Sequence, residues 1–171
     1  MQERTGLVTL QGNPVTLLGN GVEVGDMAPD FTVVDNDLSP VEFSSFRGKV
    51  CIVVAVPSLD TPVCDTETRK FNEQAATLGD DVVVLTISAD LPFAQKRWCA
   101  AAGIDGVVTL SDHRATSFGT AYGVLMKDLR LLARAVFVVD RQGTVRYAEL
   151  VKEITNEPDY DAALDAAREL L

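Results

Sequence analysis

Apolar residues along this chain recur with two different periods, and the changes between them mark the elements. Val50-Cys-Ile-Val-Val-Ala-Val56 is an unbroken apolar run rich in β-branched side chains, the pattern of a strand covered on both faces. From Pro62 the period lengthens: Val63, Phe71, Ala75 and Leu78 repeat near helical spacing, and Gly79 supplies a left-handed stop. Val82-Val-Val-Leu-Thr-Ile87 is a second buried strand, followed by a helix from Pro92 through Ala102 that Gly103 closes, and Val107-Val-Thr-Leu110 is a third strand. Ala115 to Tyr122 reads as a short helical segment. Ala135-Val-Phe-Val-Val139 and Thr144-Val-Arg-Tyr-Ala148, joined by Asp140-Arg-Gln-Gly143, form a hairpin of the fourth and fifth core strands, and an amphipathic helix from Tyr160 to Leu171 closes the chain. Ahead of all these, Leu7–Gln11 and Val15–Leu18 flank the turn residues Gly12-Asn-Pro14 as one hairpin. Ala28–Asp35 and Val41–Phe43 flank Asn36-Asp37 as another, and Ser44–Gly48 is one helical turn ended by glycine.

Strands that alternate with helices, followed by an antiparallel hairpin and a last helix, predict an α/β sandwich with a mixed central sheet. The order fits a thioredoxin-like fold with flanking helices and an N-terminal β-hairpin extension. No internal repeat, low-complexity tract or long linker divides the 171 residues, so one domain spanning 1–171 is expected, large enough to bury a core without disulfides or metal.

Composition narrows the partners. The formal net charge of −10 argues against nucleic acid or an acidic membrane surface, because a net-negative chain without a basic patch repels phosphate. Met1-Gln-Glu-Arg-Thr-Gly6 lacks the basic start and apolar core of a signal peptide, and no apolar run approaches transmembrane length, so a cytoplasmic protein is expected. Three cysteines at irregular spacing do not describe a structural disulfide framework; in a reducing compartment any bridge among them would be transient.

The chemistry concentrates where the first buried strand gives way to the first long helix, Pro57-Ser-Leu-Asp-Thr61-Pro-Val-Cys64. Thr61 suits the N-cap and Pro62 the first helical position, where its missing N–H has no partner to lose. Cys64 then falls at the third helical position, among backbone N–H groups without intrahelical acceptors and near the positive end of the helix dipole, both of which favour thiolate over thiol. Asp65 and Glu67 add negative charge that opposes a second anion, so a cation from elsewhere in the chain is expected.

The spacing Pro57-x-x-x-Thr61-x-x-Cys64 resembles the peroxiredoxin active-site motif, and Asp60-Thr-Pro-Val-Cys64 resembles that of its thiol peroxidase branch. The resemblance extends through Ser88-Ala-Asp-Leu-Pro-Phe-Ala-Gln95 with Cys99, and through Arg134-Ala-Val-Phe-Val-Val-Asp140. It implies an atypical two-cysteine peroxidase, in which Cys64 is the peroxidatic cysteine, Cys99 the resolving one of the same chain, and Thr61, Arg134 and Pro57 shape the peroxide pocket. It also implies hydroperoxides as substrates, a thioredoxin-like reductant, a homodimer, and no metal, haem or flavin, since the sulfur carries the chemistry.

Each of these residues has a plainer reading. Thr61 can be only an N-cap, and Arg134, just before a core strand, only a solvated strand end. Cys51 lies inside the apolar run and reads as core filler. Cys99 shares a helix face with Gln95, Lys96, Ala102 and Gly103, a small and polar setting that leaves a resolving role and an ordinary surface thiol equally open. Arg69 is five residues past Cys64 and rotated away from it. His113, the only histidine, stands in a polar Ser-Asp-His-Arg stretch with nothing to pair it with Cys64 as a protease base, and Cys51, Cys64, Cys99 and His113 lack the paired spacing of a zinc site. Two other classes compete with a peroxidase: a thiol-disulfide oxidoreductase acting on protein disulfides, against which the missing Cys-x-x-Cys counts, and a binding module with incidental cysteines. Phe118, Tyr122, Val124, Leu125 and Met126 lie close together outside the assigned core strands and are expected either to form a subunit interface or to pack as a loop on their own core.

Overall fold

The computed structural model describes all 171 residues. Its strands are β1 (Glu3–Leu10), β2 (Asn13–Leu18), β3 (Thr32–Val34), β4 (Pro40–Glu42), β5 (Val50–Ala55), β6 (Val82–Ser88), β7 (Val108–Ser111), β8 (Leu125–Met126), β9 (Ala135–Val139) and β10 (Val145–Leu150). The helices are α1 (Pro62–Leu78), α2 (Pro92–Ala102), α3 (Ser117–Ala121) and α4 (Tyr160–Arg168), with a 3-10 turn at Phe43–Phe46. Seven strands form the main sheet in the order β10-β9-β5-β6-β7-β3-β4. β5, β6 and β7 run parallel, and the outer pairings are antiparallel, as a strand–helix–strand core with a terminal hairpin requires.

Every residue of β5 is buried, which is what a continuous β-branched run in the middle of a sheet achieves. Its side chains alternate between two cores. Val50, Ile52 and Val54 point to the face shared with Cys64 and Phe71 of α1 and with Ala163, Leu164 and Ala167 of α4. Cys51, Val53 and Ala55 point to the other, which the N-terminal strands and α3 cover. The thioredoxin-like sandwich is therefore built as the strand order predicts, with helices α1 and α4 on one face and the β1-β2 hairpin and α3 on the other, while β3 and β4 extend the edge of the sheet beside β7.

The stretch from Phe118 to Met126 differs from one of its two expected readings. Phe118, Tyr122, Val124, Leu125 and Met126 are all within 2% of complete burial, and β8 pairs with β2 through Leu17↔Met126 and Leu18↔Leu125, making a second, three-stranded sheet β1-β2-β8. Phe31, Phe118, Tyr122 and Phe137 pack ring against ring with centroids 4.8–5.5 Å apart, and the Tyr122 hydroxyl donates to the Pro29 carbonyl. These side chains serve their own core and are not an exposed interface. The first hairpin also turns earlier than expected: Gln11 and Gly12 carry the positive φ angles, 51° and 81°, and Asn13 and Pro14 already belong to β2. Glu153 holds that turn, accepting from the backbone N–H of Gly12 at 2.7 Å and from the Thr9 hydroxyl at 2.9 Å.

Candidate active site

β5 stops at Ala55, the chain passes through buried Val56 and Pro57, and a four-residue turn delivers it to α1. Thr61 is the N-cap by backbone geometry (φ −99°, ψ 147°) and Pro62 opens the helix, as the sequence predicts, but the Thr61 side chain caps no N–H. Its hydroxyl instead donates to the Ser58 carbonyl at 2.8 Å, and the residue is exposed. The turn is held from behind by Asp90, at the end of β6, which accepts from the Ser58 hydroxyl at 2.7 Å, the Leu59 N–H at 2.9 Å and the Ser88 hydroxyl at 2.7 Å. Gln95 of α2 donates to the same Ser88 oxygen and to the Leu110 carbonyl, each at 2.9 Å. The polar residues of Ser88–Gln95 thus form one network that fixes the peptide leading to Cys64.

Cys64 is completely buried, and the cation its position calls for is present. Arg134, one residue before β9, is only 2% exposed and spreads three donors in three directions: Nη2 to Cys64 Sγ at 3.4 Å, Nε to the Ile154 carbonyl at 2.9 Å, and Nη1 to Glu67. The solvated strand end is excluded by that burial. Arg69 points elsewhere, pairing with Asp65 on its own helix at 2.9 Å.

The two acids of the helix start do not act on Cys64 as unpaired charges. Asp65 turns to Arg69 and to Trp98 Nε1, each at 2.9 Å. Glu67 is fully buried against Arg134, with one carboxylate oxygen on the guanidinium and the other without a partner. Burial pushes the Glu67 carboxyl up to about 7, with the Arg134 charge pulling it back down. Arg134 is held above its ordinary value: burial works against its charge, and the neighbouring Glu67 and Cys64 outweigh burial. Glu67 belongs to the candidate site through Arg134, and sequence reasoning misread it. Three residues after the cysteine it looks like helix-start acid, and only the fold brings it to an arginine 67 positions away.

Cys99 is half-buried on α2, its Sγ 3.4 Å from the Thr109 hydroxyl of β7, which in turn donates to Asn36 at 3.1 Å. Cys64 and Cys99 are both free, each with its own partner. Cys51 lies on the opposite face of the sheet from Cys64, and burial pushes its thiol up to about 12, as suits core filler. His113 follows β7 and makes no contact with Cys64, and no three His, Cys, Asp or Glu side chains are grouped to hold a metal ion.

A thioredoxin-like sandwich that presents a cysteine at the start of its first long helix, against a buried arginine, defines a redoxin, and the family profile described as Redoxin matches residues 23–164. The thiol peroxidase of Halalkalibacterium halodurans is 61% identical over 164 residues, covering 96% of this chain and 98% of that one. The thiol peroxidases of Bacillus subtilis and Staphylococcus aureus are 59% and 56% identical over 96% and 95% of this chain and 98% of each relative. Among solved structures, a peroxiredoxin-like protein from Aquifex aeolicus superposes with a TM-score of 0.91 at 46% identity, covering 98% of this chain and 99% of that one. A thiol peroxidase from Chromobacterium violaceum shares the fold, with a TM-score of 0.82 at 24% identity over 95% of both chains. The chain belongs to the thiol peroxidases of the peroxiredoxin family.

Proposed function

We propose that this protein is a thioredoxin-dependent peroxidase that reduces hydrogen peroxide and alkyl hydroperoxides through Cys64 and resolves the product with Cys99. The observation that carries the proposal is the Arg134 guanidinium fixed 3.4 Å from a buried Cys64 sulfur and anchored on its other side by Glu67 and the Ile154 carbonyl. A thiolate there attacks the terminal oxygen of a hydroperoxide; the S–O bond forms as the O–O bond breaks, and the leaving oxygen takes a proton and departs as alcohol or water. Sulfur loses two electrons and becomes a sulfenic acid. Arg134 stabilises the charge moving onto the leaving oxygen, the exposed Thr61 hydroxyl receives and orients the peroxide, and Pro57 shields the sulfenate. The Cys99 thiolate then displaces hydroxide from the sulfenic sulfur, closing a disulfide with release of water, and a dithiol of the thioredoxin type returns both thiols by exchange.

The position three residues after Cys64 is the buried Glu67, where a protein-disulfide oxidoreductase of the Cys-x-x-Cys kind carries its second thiol, so the peroxidase reading is favoured over that alternative. Three cysteines that form no structural disulfide framework support a cytoplasmic location, and the family resemblance supports a homodimer. With Phe118, Tyr122, Val124, Leu125 and Met126 buried, Leu91 and Phe93 beside the start of α2 are among the exposed apolar residues available for the contact.

The test is a coupled assay of NADPH oxidation with thioredoxin, thioredoxin reductase and cumene hydroperoxide, joined to peptide mapping of the peroxide-treated protein. Cys64→Ser abolishes turnover, Cys99→Ser gives one turnover that stops at sulfenic acid, and Cys51→Ser cycles normally, its hydroxyl finding the Lys49 and Phe46 carbonyls that now lie 3.7 and 4.0 Å from the sulfur. A bridge from Cys64 to Cys51, or to a second chain's Cys64, overturns the mechanism, as does wild-type protein that consumes no peroxide.

A further inference from the structure

The residues adjoining the two working cysteines touch each other. Asp65 follows Cys64 on α1, Trp98 precedes Cys99 on α2, and the indole Nε1–H donates to Asp65 Oδ1 at 2.9 Å. The second carboxylate oxygen accepts from Arg69 at 2.9 Å. The Arg69 guanidinium lies 5.8 Å from the centre of the Trp98 ring and reaches the Ala102 carbonyl at 3.4 Å. One indole–carboxylate bond, braced by one arginine, therefore joins the first turn of α1 to the last turns of α2. The Trp98 ring also packs against the core cluster that contains Cys64. The chemistry proposed above makes no use of these three side chains.

Their placement matters because the cysteines do not face one another. Cys64 is turned inward to Arg134 and Cys99 toward Thr109, whereas a disulfide needs their Cα atoms within roughly 7 Å and their Cβ atoms converging. Successive residues of a helix are about 100° apart, so any rotation or unwinding that releases Cys64 from its pocket carries Asp65 with it. The same holds for Cys99 and Trp98. The Asp65–Trp98 bond cannot persist while both cysteines leave their places.

We propose that Asp65 and Trp98 form the latch that holds α1 and α2 in the closed arrangement, and that its release sets the rate at which Cys64 becomes accessible to Cys99. Asp65 is a positioning residue in this scheme, acting on the cysteines through the helices. The disulfide half of the proposal rests on the peroxidase reading; the latch itself is a property of the reduced protein.

Because Cys64 is completely buried, its alkylation by iodoacetamide reports opening directly, and measuring at the high-pH plateau removes differences in thiol ionisation. Trp98→Phe keeps an aromatic ring and all charges but deletes the donor with the pyrrole half of the indole; Asp65→Ala deletes the acceptor and the charge; Asp65→Asn deletes the charge and keeps an acceptor. The latch predicts that Trp98→Phe and Asp65→Ala raise the plateau alkylation rate of Cys64 by about tenfold, the factor carried by a hydrogen bond to a charged group at the lower end of its range, as suits a partly exposed pair. Asp65→Asn, which keeps a neutral acceptor, rises by less, within about fivefold of wild type, since a neutral hydrogen bond is weaker by about 1 kcal/mol. Alkylation of Cys51, in the core on the far side of the sheet, stays unchanged in all of them and excludes general loosening. After a single equivalent of hydrogen peroxide, the two opened variants close the disulfide faster and collect less sulfinic acid at excess peroxide. An unchanged Cys64 rate in Trp98→Phe, or Asp65→Asn moving as far as Asp65→Ala, overturns the latch. If peroxide oxidises Cys64 in none of the proteins, the peroxidase reading falls and the alkylation rates still decide the latch.

Discussion

Removing the Arg134 side chain separates what the site contributes to catalysis from what it demands of the fold. In Arg134→Ala, Cys64 loses the donor 3.4 Å from its sulfur, and Glu67, fully buried with one oxygen already unpartnered, loses its only counter-charge. A hydrogen bond to a charged group is worth about 1.5–3 kcal/mol, which in a rate corresponds to roughly 10- to 150-fold slower reaction of Cys64 with peroxide. The second loss acts on stability: breaking a buried pair by deleting one partner destabilises by about 3–5 kcal/mol, because the remaining charge is left without compensation. Stopped-flow oxidation of Cys64 and urea denaturation at neutral pH read the two effects separately.

The double variant Arg134→Met, Glu67→Met distinguishes them further. With both charges gone, most of the lost stability returns, since a well-packed apolar replacement of a buried ion pair is close to neutral. The rate does not return, because the sulfur still lacks its donor. A double variant that recovers rate along with stability would show that Arg134 serves only as the counter-ion of Glu67, and an Arg134→Ala protein that reacts at the wild-type rate would refute its place in the chemistry altogether.

Two further outcomes follow from the same network. Burial raises the Glu67 carboxyl from its ordinary value of 4.5 to about 7, so between those two values the folded protein holds a proton that the unfolded chain has lost. Stability therefore falls as pH rises through that window, by at most about 1.4 kcal/mol per pH unit, and Glu67→Gln flattens the slope; denaturation midpoints at pH 5, 6 and 7 check this, and parallel profiles for the two proteins would refute it. Asp90→Ala strips the acceptor from the Ser58 and Ser88 hydroxyls and from the Leu59 N–H, so it is expected to destabilise the protein by about 1–3 kcal/mol and to slow Cys64 oxidation. Undiminished oxidation in Asp90→Ala would mean that the Pro57–Thr61 turn holds its shape without the carboxylate.

What could be read from the chain alone follows a physical division. β5 and β6 were legible because strands covered on both faces must be continuously apolar. The ends of α1 and α2 were legible because proline and glycine mark them locally: Pro62 and Pro92 open the helices, while Gly79 and Gly103 end them with positive φ of 83° and 67°. β8 was not, since two residues are too few to show a period, and its apolar neighbours gave no sign of which surface they cover. The site divides the same way. Cys64 and its helix start are one local stretch, whereas the partners that set its electrostatics are nonlocal. Glu67 meets Arg134 only because β9 lies beside β5, and Asp65 meets Trp98 only because both helices lie against the same side of the sheet. An acid in the first turn of a helix has the same local signature whether it caps, solvates or pairs.

The geometry also explains why the site uses arginine. Its three occupied donors point to a sulfur, a carbonyl and a carboxylate, and the planar guanidinium holds all three with a single rigid group. An ammonium at the same place would lie at the end of a flexible stem and would deprotonate more readily under the same burial. Glu67 makes the buried cation tolerable, and the carboxylate's displacement toward neutral pH is the corresponding strain on the pair. A site this enclosed keeps water from the sulfur and strengthens every interaction within it, but it also keeps Cys99 away. In the proposed cycle the reaction with peroxide favours the closed arrangement and the reaction with Cys99 an open one, so that cycle requires the helices that carry the cysteines to be held firmly enough for the first and weakly enough for the second. A single, partly exposed hydrogen bond between Asp65 and Trp98 has the strength to do this, whereas the buried Arg134–Glu67 pair would hold the site shut.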